Sequence, residues 1–295
     1  MNSKPSMPAP PLRFTEHFSL LTADYDVALC DVWGVLHNSL VAFPDACETL
    51  ARFRRQGGCV VLITNAPRPG EVVVQLLDKL KVPRAAFDAI VSSGDVTRSL
   101  IAERRAARIF HIGPRRDLPM FEQLDVQTAA LEDADYVVCS GLFDDTAETP
   151  QDYAPLIERL RERGLLMICA NPDIVVERGD ELVYCAGAIA ELYAAAGGEV
   201  LYAGKPYRPI YEQALGAAAK MRGRAVDKRR ILAIGDSVRT DVKGAAAFGI
   251  DALFISGGIH AEEVGGREEP DPAALAKVFA AAGLYPKWLM RRLTW

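Results

Sequence analysis

The chain has 295 residues, half of them hydrophobic and a quarter charged, with a formal net charge of −5. That length supports a sizeable core and more than one domain, and the composition is that of an ordinary soluble globular protein. The acidic balance gives no reason to expect nucleic acid, no uncharged apolar run reaches the ~18 residues of a membrane helix, and no secretory signal pattern opens the chain.

Six cysteines, Cys30, Cys47, Cys59, Cys139, Cys169 and Cys185, form no C-x-x-C pair. Four of them lie in apolar, strand-like runs, where free cysteine behaves as a small hydrophobe. They read as reduced thiols in a cytoplasmic protein, because disulfides are rare in that compartment.

Residues 1–20 carry Pro5, Pro8, Pro10 and Pro11 and read as a flexible N-terminal arm. A βα rhythm follows. Residues 26–31 read as a buried strand and 44–56 as a helix, with Pro44 in its first turn and Gly57-Gly58 as its stop. The run Cys59–Thr64 is nearly all apolar, as in a parallel strand covered on both faces. A helix over 69–81, a strand over 87–92 and a helix over 94–106 continue the pattern. The middle section has strand-like pieces at 108–112, 136–139 and 165–169, with helices over 150–163 and 186–196. The first pattern then resumes with 200–203, a helix over 208–221, the strand 231–234, a helix over 240–248 and the strand 252–255. This alternation predicts an α/β doubly wound parallel sheet with an inserted smaller α/β domain. The expected division is a core of 21–105 and 200–295 and an inserted cap of 106–199 that acts as a lid.

Four segments carry the chemistry. Asp31 opens Asp31-Val32-Trp33-Gly34-Val35-Leu36 directly after an apolar strand, at the end where open α/β sheets keep reactive groups. Thr64-Asn65 ends the next apolar strand, Gly204-Lys205-Pro206 places a cation in a shaped loop, and Asp236 and Asp241 follow the strand 231–234. A carboxylate nucleophile, a hydroxyl, a cation and two further carboxylates suit phosphoryl transfer with a divalent metal. Each has an ordinary alternative: a turn aspartate, a strand end, a surface lysine, a helix N-cap at Thr240-Asp241. Gly204-Lys205 is not a P-loop, since residue 199 is Glu and Pro206 replaces the Ser or Thr.

Taken together and in this order, the segments resemble the haloacid dehalogenase superfamily, in its NagD-like subclass with a large α/β cap between the second and third motifs. Phe43-Pro44-Asp45-Ala46, Ser92-Ser93-Gly94 and Ala170-Asn171-Pro172-Asp173 add to the likeness, which runs from about 24 to 260. The resemblance implies a hydrolase acting on a small phosphorylated metabolite. Asp31 would be the nucleophile and Lys205 the catalytic cation. Thr64, Asn65, Trp33, Gly34 and Lys205 would hold the phosphate. Mg2+ would sit on Asp31, the Trp33 carbonyl and Asp236, with Asp241 holding a metal water or orienting Lys205.

One residue departs from the pattern. Trp33 stands where phosphatases of this superfamily carry an acid that protonates the leaving oxygen and activates water. Indole can only donate a hydrogen bond and does not titrate. Weak turnover is therefore expected, with a phosphometabolite-binding or regulatory protein as the alternative. His37 is a candidate stand-in, although a structural hydrogen bond is the preferred reading. Asn171-Pro172-Asp173 reads chiefly as a turn. Arg68 and Arg239 adjoin the motifs and are equally candidates for substrate or surface. The tail Trp288–Trp295 is expected to pack on the core; a homodimer contact and a membrane-surface contact are the alternatives, the latter weak for one short segment.

Overall fold

The computed structural model describes residues 11–104, 107–178, 181–266 and 269–295. The first half of the expected arm and the expected boundary at 105/106 lie outside these residues. In chain order, β1 (Val27–Asp31), α1 (Pro44–Arg55), β2 (Cys59–Thr64), α2 (Gly70–Lys79), β3 (Ala89–Ser92) and α3 (Ser93–Ala102) come first. Next are β4 (Ala107–Ile112), β5 (Val126–Thr128), β6 (Tyr136–Cys139), α4 (Ala154–Glu162) and β7 (Met167–Cys169). A β8 (Val175–Arg178) and β9 (Glu181–Tyr184) hairpin, α5 (Ala186–Ala195) and β10 (Val200–Tyr202) follow. Then come α6 (Arg208–Arg222), β11 (Ile231–Gly235), α7 (Lys243–Phe248), β12 (Asp251–Ile255), α8 (Pro272–Ala282) and β13 (Trp288–Met290).

The first sheet is wholly parallel, in the order β13-β12-β11-β1-β2-β3. Alternate residues of its central strands serve opposite faces. Ala28, Cys30, Val60, Leu62, Leu232 and Ile234 enter one apolar cluster. Val27, Leu29, Val61, Ile63, Ile231 and Ala233 enter another. Covering both faces is what makes these strands near-continuous apolar runs. From β1 the chain winds outward through β2 and β3, then returns to β11 on the other side of β1. That reversal opens a crevice at the carboxyl end of β1, where such sheets bind ligands.

The inserted α/β unit is a second parallel sheet, in the order β10-β7-β6-β4-β5, with its own apolar clusters. The expected boundary at 199/200 is corrected here. β10 pairs in parallel with β7 through Val200–Met167, Leu201–Ile168 and Tyr202–Cys169, so residues 200–202 complete the second sheet. The α5 crossover carries them there, and the chain re-enters the core only at the loop containing Lys205.

Other differences are local. α3 ends at Ala102, short of the expected 106. Residues 238–242 form a wide π-type turn before α7, with Val242 N–H reaching back to the Ser237 carbonyl at 3.1 Å. The second half of the expected arm is pinned. Thr15 N–H donates to the Leu289 carbonyl at 2.9 Å and Phe18 N–H to the Thr294 carbonyl at 2.8 Å. The buried Phe18 ring meets Phe53 edge-on at 5.4 Å and Trp295 at 6.5 Å. Tail and arm thus share one apolar seat, as packing of the tail required. Among the described residues no helix is long and apolar enough to cross a membrane.

Candidate active site

Asp31 ends β1, Thr64 ends β2 and Asp236 follows β11, so register alone brings three of the motifs side by side. The loop after β10 delivers Lys205. Its ammonium lies 2.7 Å from Asp31 Oδ1 and 2.7 Å from Asp241 Oδ1, and its side chain is 2 % exposed. The Val32 N–H donates to Asp31 Oδ1 at 2.7 Å, and the Ile259 N–H to Asp236 Oδ2 at 2.8 Å. Ligand atoms of Asp31, Asp236 and Asp241 lie within 4.8 Å of one another, and all three residues are buried. Three buried oxygen donors at that spacing fit a small, hard divalent cation.

The backbone around these carboxylates tolerates no bulk. Gly34 has φ +79°, and a Cβ there would stand 2.0 Å from Asp236 Oδ2. A Cβ at Gly258 would stand 2.1 Å from the same oxygen, and one at Gly235 would stand 2.0 Å from Asp241 Cγ. The wide turn at 238–242 tucks Asp241 under Gly235, where the Ser237 N–H donates to its Oδ2 at 3.1 Å.

Electrostatics follow from three acids and one cation out of water. Burial pushes the Asp31 carboxyl well above its usual range; Lys205 opposes this, and Asp241 and Asp236 add to it. Burial pushes Asp236 up to about 7, with Asp241 reinforcing it. Burial alone would pull the Lys205 ammonium down, but Asp241 and Asp31 hold it well above the ordinary lysine value. The environment favours the charged form of the lysine, and the surplus of negative charge favours proton uptake by the carboxyls.

Asn65 does more than its motif suggests. Its Oδ1 accepts the Lys205 N–H at 2.7 Å, and its Nδ2 donates to the Lys205 carbonyl at 3.1 Å and to Asp173 Oδ1 at 2.9 Å. One amide therefore fixes the lysine loop and ties it to the inserted unit. Gly204 permits this approach, since a Cβ there would fall 2.4 Å from Asn65 Oδ1. The Thr64 hydroxyl accepts the Ala66 N–H at 3.3 Å.

A cavity of about 310 Å³ joins these groups and is lined by Asp31, Trp33, His37, Thr64, Asn65 and Lys205, among others. Trp33 donates its indole N–H to the Ser39 hydroxyl at 2.8 Å. His37 is buried and lowered to about 4 by that burial, and its Nδ1 accepts the Ser39 N–H at 3.0 Å. That bond is the structural hydrogen bond expected of it, and the lowered value favours the neutral ring near pH 7. Arg68 lines the cavity, whereas Arg239 is exposed and paired with Glu191 at 3.4 Å. Asp173, expected in a turn, also lines the cavity, its carboxyl raised chiefly by burial. Sequence reading missed Asp117 and Ser140 of the inserted unit, which face the same space.

The chain is similar to known hydrolases. A family model described as haloacid dehalogenase-like hydrolase matches residues 28–127, and one described as HAD-hydrolase-like matches 202–282. A haloacid dehalogenase-like hydrolase from Brucella suis is 49% identical with a TM-score of 0.84, over 95% of this chain and 100% of that one. The haloacid dehalogenase-like hydrolase domain-containing protein 2 of Bos taurus is 29% identical over 78% of this chain and 83% of its own length. A D-glycerol 3-phosphate phosphatase from Mycobacterium tuberculosis is 28% identical over 81% of this chain and 65% of its own length. With four motifs gathered at one sheet edge and a full-length relative sharing half its residues, the chain belongs to the haloacid dehalogenase-like hydrolase family.

Proposed function

We propose that the chain is a Mg2+-dependent phosphatase for a small phosphorylated metabolite, working through an aspartyl phosphate on Asp31. The observation that carries this reading is the Lys205 ammonium, 2.7 Å from both Asp31 and Asp241, beside a carboxylate cluster spaced for one cation. The likeness to the mycobacterial D-glycerol 3-phosphate phosphatase supports it. Asp31, Asp236, Asp241 and the Trp33 carbonyl would hold the metal. A bound Mg2+ would neutralise phosphate charge and align it with the nucleophile.

The remaining roles belong to the chain itself. The Asp31 carboxylate attacks phosphorus and the leaving alkoxide departs, so that one hard displacement becomes two easier ones. Lys205 balances charge on the transferring oxygens. Thr64, the Asn65 amide hydrogen and the loop at Trp33-Gly34 hold phosphate oxygens. Water then cleaves the acyl phosphate by a route that does not use residue 33. The inserted unit, taken as a cap, limits leaving-group size and excludes bulk water. A cytoplasmic setting with reduced thiols fits six buried cysteines.

Trp33 favours a second reading, a phosphometabolite-binding protein with little turnover, because its indole N–H is committed to Ser39 and supplies no proton. Hydrolysis of p-nitrophenyl phosphate with Mg2+ separates the two. Activity that disappears in Asp31→Asn establishes the phosphatase. Phosphate binding without turnover in either protein establishes the binder.

A further inference from the structure

The proposed phosphoryl site uses Asp31, Lys205, Asp236 and Asp241; residues of the inserted unit that line the same cavity carry charge that this chemistry does not use. Asp117 is 3 % exposed yet lines the cavity. The Ser140 hydroxyl donates to its Oδ2 at 3.0 Å, and His111 Nε2 lies 2.9 Å from that hydroxyl. A hydroxyl has one proton, so with Ser140 serving Asp117 the histidine must donate, as a neutral Nε2–H tautomer. Burial, which lowers His111 to about 4, is consistent with this. Gly113 backs the arrangement, since a Cβ there would stand 2.1 Å from Ser140 Oγ. Asp117 is therefore held by a rigid frame.

Its other oxygen meets Arg68 Nε at 3.5 Å, the outer limit of a hydrogen bond, from a side chain that is 41% exposed. Nearby, Arg116 pairs with Asp145. Both arginines thus already face carboxylates. Asp173 Oδ1 accepts from the neutral amide of Asn65 at 2.9 Å, which adds a further acceptor to the lining.

We propose that Asp117, positioned by Ser140, makes this part of the cavity select leaving groups that carry hydrogen-bond donors and reject those that carry a carboxylate. The reaction context rests on the phosphatase reading. A carboxylate oxygen can accept more than one hydrogen bond, so Asp117, with one hydroxyl and one long arginine contact, has acceptor capacity left for a ligand donor, and a ligand carboxylate adds like-charge repulsion. Alcohols and amines share the required chemistry.

The test measures binding in Asp31→Asn, which needs no turnover. Calorimetric titrations with Mg2+ would compare two donor ligands without a carboxylate, glycerol 3-phosphate and phosphoethanolamine, with 3-phosphoglycerate, which keeps one hydroxyl and adds a carboxylate; inorganic phosphate is the reference. The expected result is that at least one donor ligand binds about tenfold or more tighter than 3-phosphoglycerate, the scale of a hydrogen bond to a charged group. Adding Asp117→Asn should collapse that ratio to within about threefold while inorganic phosphate binding persists, and adding Ser140→Ala should move it the same way by less. Whichever of the alcohol and the amine binds more tightly identifies the donor type. Equal affinity for 3-phosphoglycerate and both donor ligands overturns the proposal, as does a ratio unmoved by either variant. Absence of p-nitrophenyl phosphate turnover in the wild-type protein, with the ratio intact, defeats only the phosphatase reading.

Discussion

The indole N–H of Trp33 donates to the hydroxyl of Ser39 at 2.8 Å, across a loop in which Ser39 itself holds φ +73°. The residue that replaces the expected acid is therefore a strut for the loop that borders the cavity. Trp33→Asp should restore general acid–base help and raise the rate on alkyl phosphates by about 10²-fold, the lower end of what such a group contributes. Aryl phosphates, whose leaving group needs no proton, should gain much less. A steady-state comparison of the two substrate types in both proteins checks this; equal gains would contradict the role assigned to position 33.

Lys205 is the counter-charge for two buried carboxylates, with Nζ at 2.7 Å from each. Lys205→Met should destabilise the metal-free protein by about 3–5 kcal/mol, the cost of leaving buried charge without its partner. The loss should shrink at low pH, where the carboxyls take up protons. Urea unfolding at pH 5 and pH 8 reads both effects. A loss of less than about 1 kcal/mol at pH 8 would place the lysine in a surface-like setting.

Gly258→Ala tests the tightness of the metal cluster without a positive φ to confuse the outcome, because its Cβ would lie 2.1 Å from Asp236 Oδ2. The carboxylate must move. Mg2+ affinity is expected to fall by about tenfold or more, on the scale of disturbed ligand orientation, while the chain stays folded. Calorimetric titration with Mg2+, together with circular dichroism, reads this.

Proton linkage gives an unusual pH trend. Burial raises Asp236 from 3.8 to about 7 and raises Asp31 in the same direction. Between about pH 4 and 7 the folded chain then binds more protons than the unfolded one. On that account these groups make the metal-free protein less stable as pH rises through this window, opposite to a salt-bridged carboxylate. Mg2+ must displace the retained proton, so its stabilising effect should grow over the same window. Thermal melts with and without Mg2+ at pH 5.5 and 8 should show a larger metal-induced rise in Tm at pH 8. An equal rise at both values would refute the raised carboxyls.

The parts of this site that could be read in the sequence are those written locally. Asp31, Thr64 and Asp236 each follow an apolar run, so the strand that buries them also announces them. Lys205 was legible through the glycine and proline around it. Asp117, Ser140 and His111 carried no such mark. They lie in β4, in the turn after it and just past β6, and only the pairing of those strands and the packing of their following turns bring them together. β10 misled for a related reason: three residues carry too little periodicity to show which sheet receives them. Trp33 was visible as a departure, but its bond to Ser39 depends on a left-handed backbone turn that serine does not advertise.

The pairing of residues 14–15 with Leu289 has a consequence for how the protein behaves in company. β13 is the last strand of the first sheet, and an uncovered outer strand invites another chain to add to it. Phe14 bridges Leu289 in parallel: the Thr15 N–H donates to the Leu289 carbonyl, and the Leu289 N–H donates to the Arg13 carbonyl. The arm works as a guard rail: cutting it back past Phe18 would leave the fold's outermost backbone groups unsatisfied and prone to cross-chain stacking.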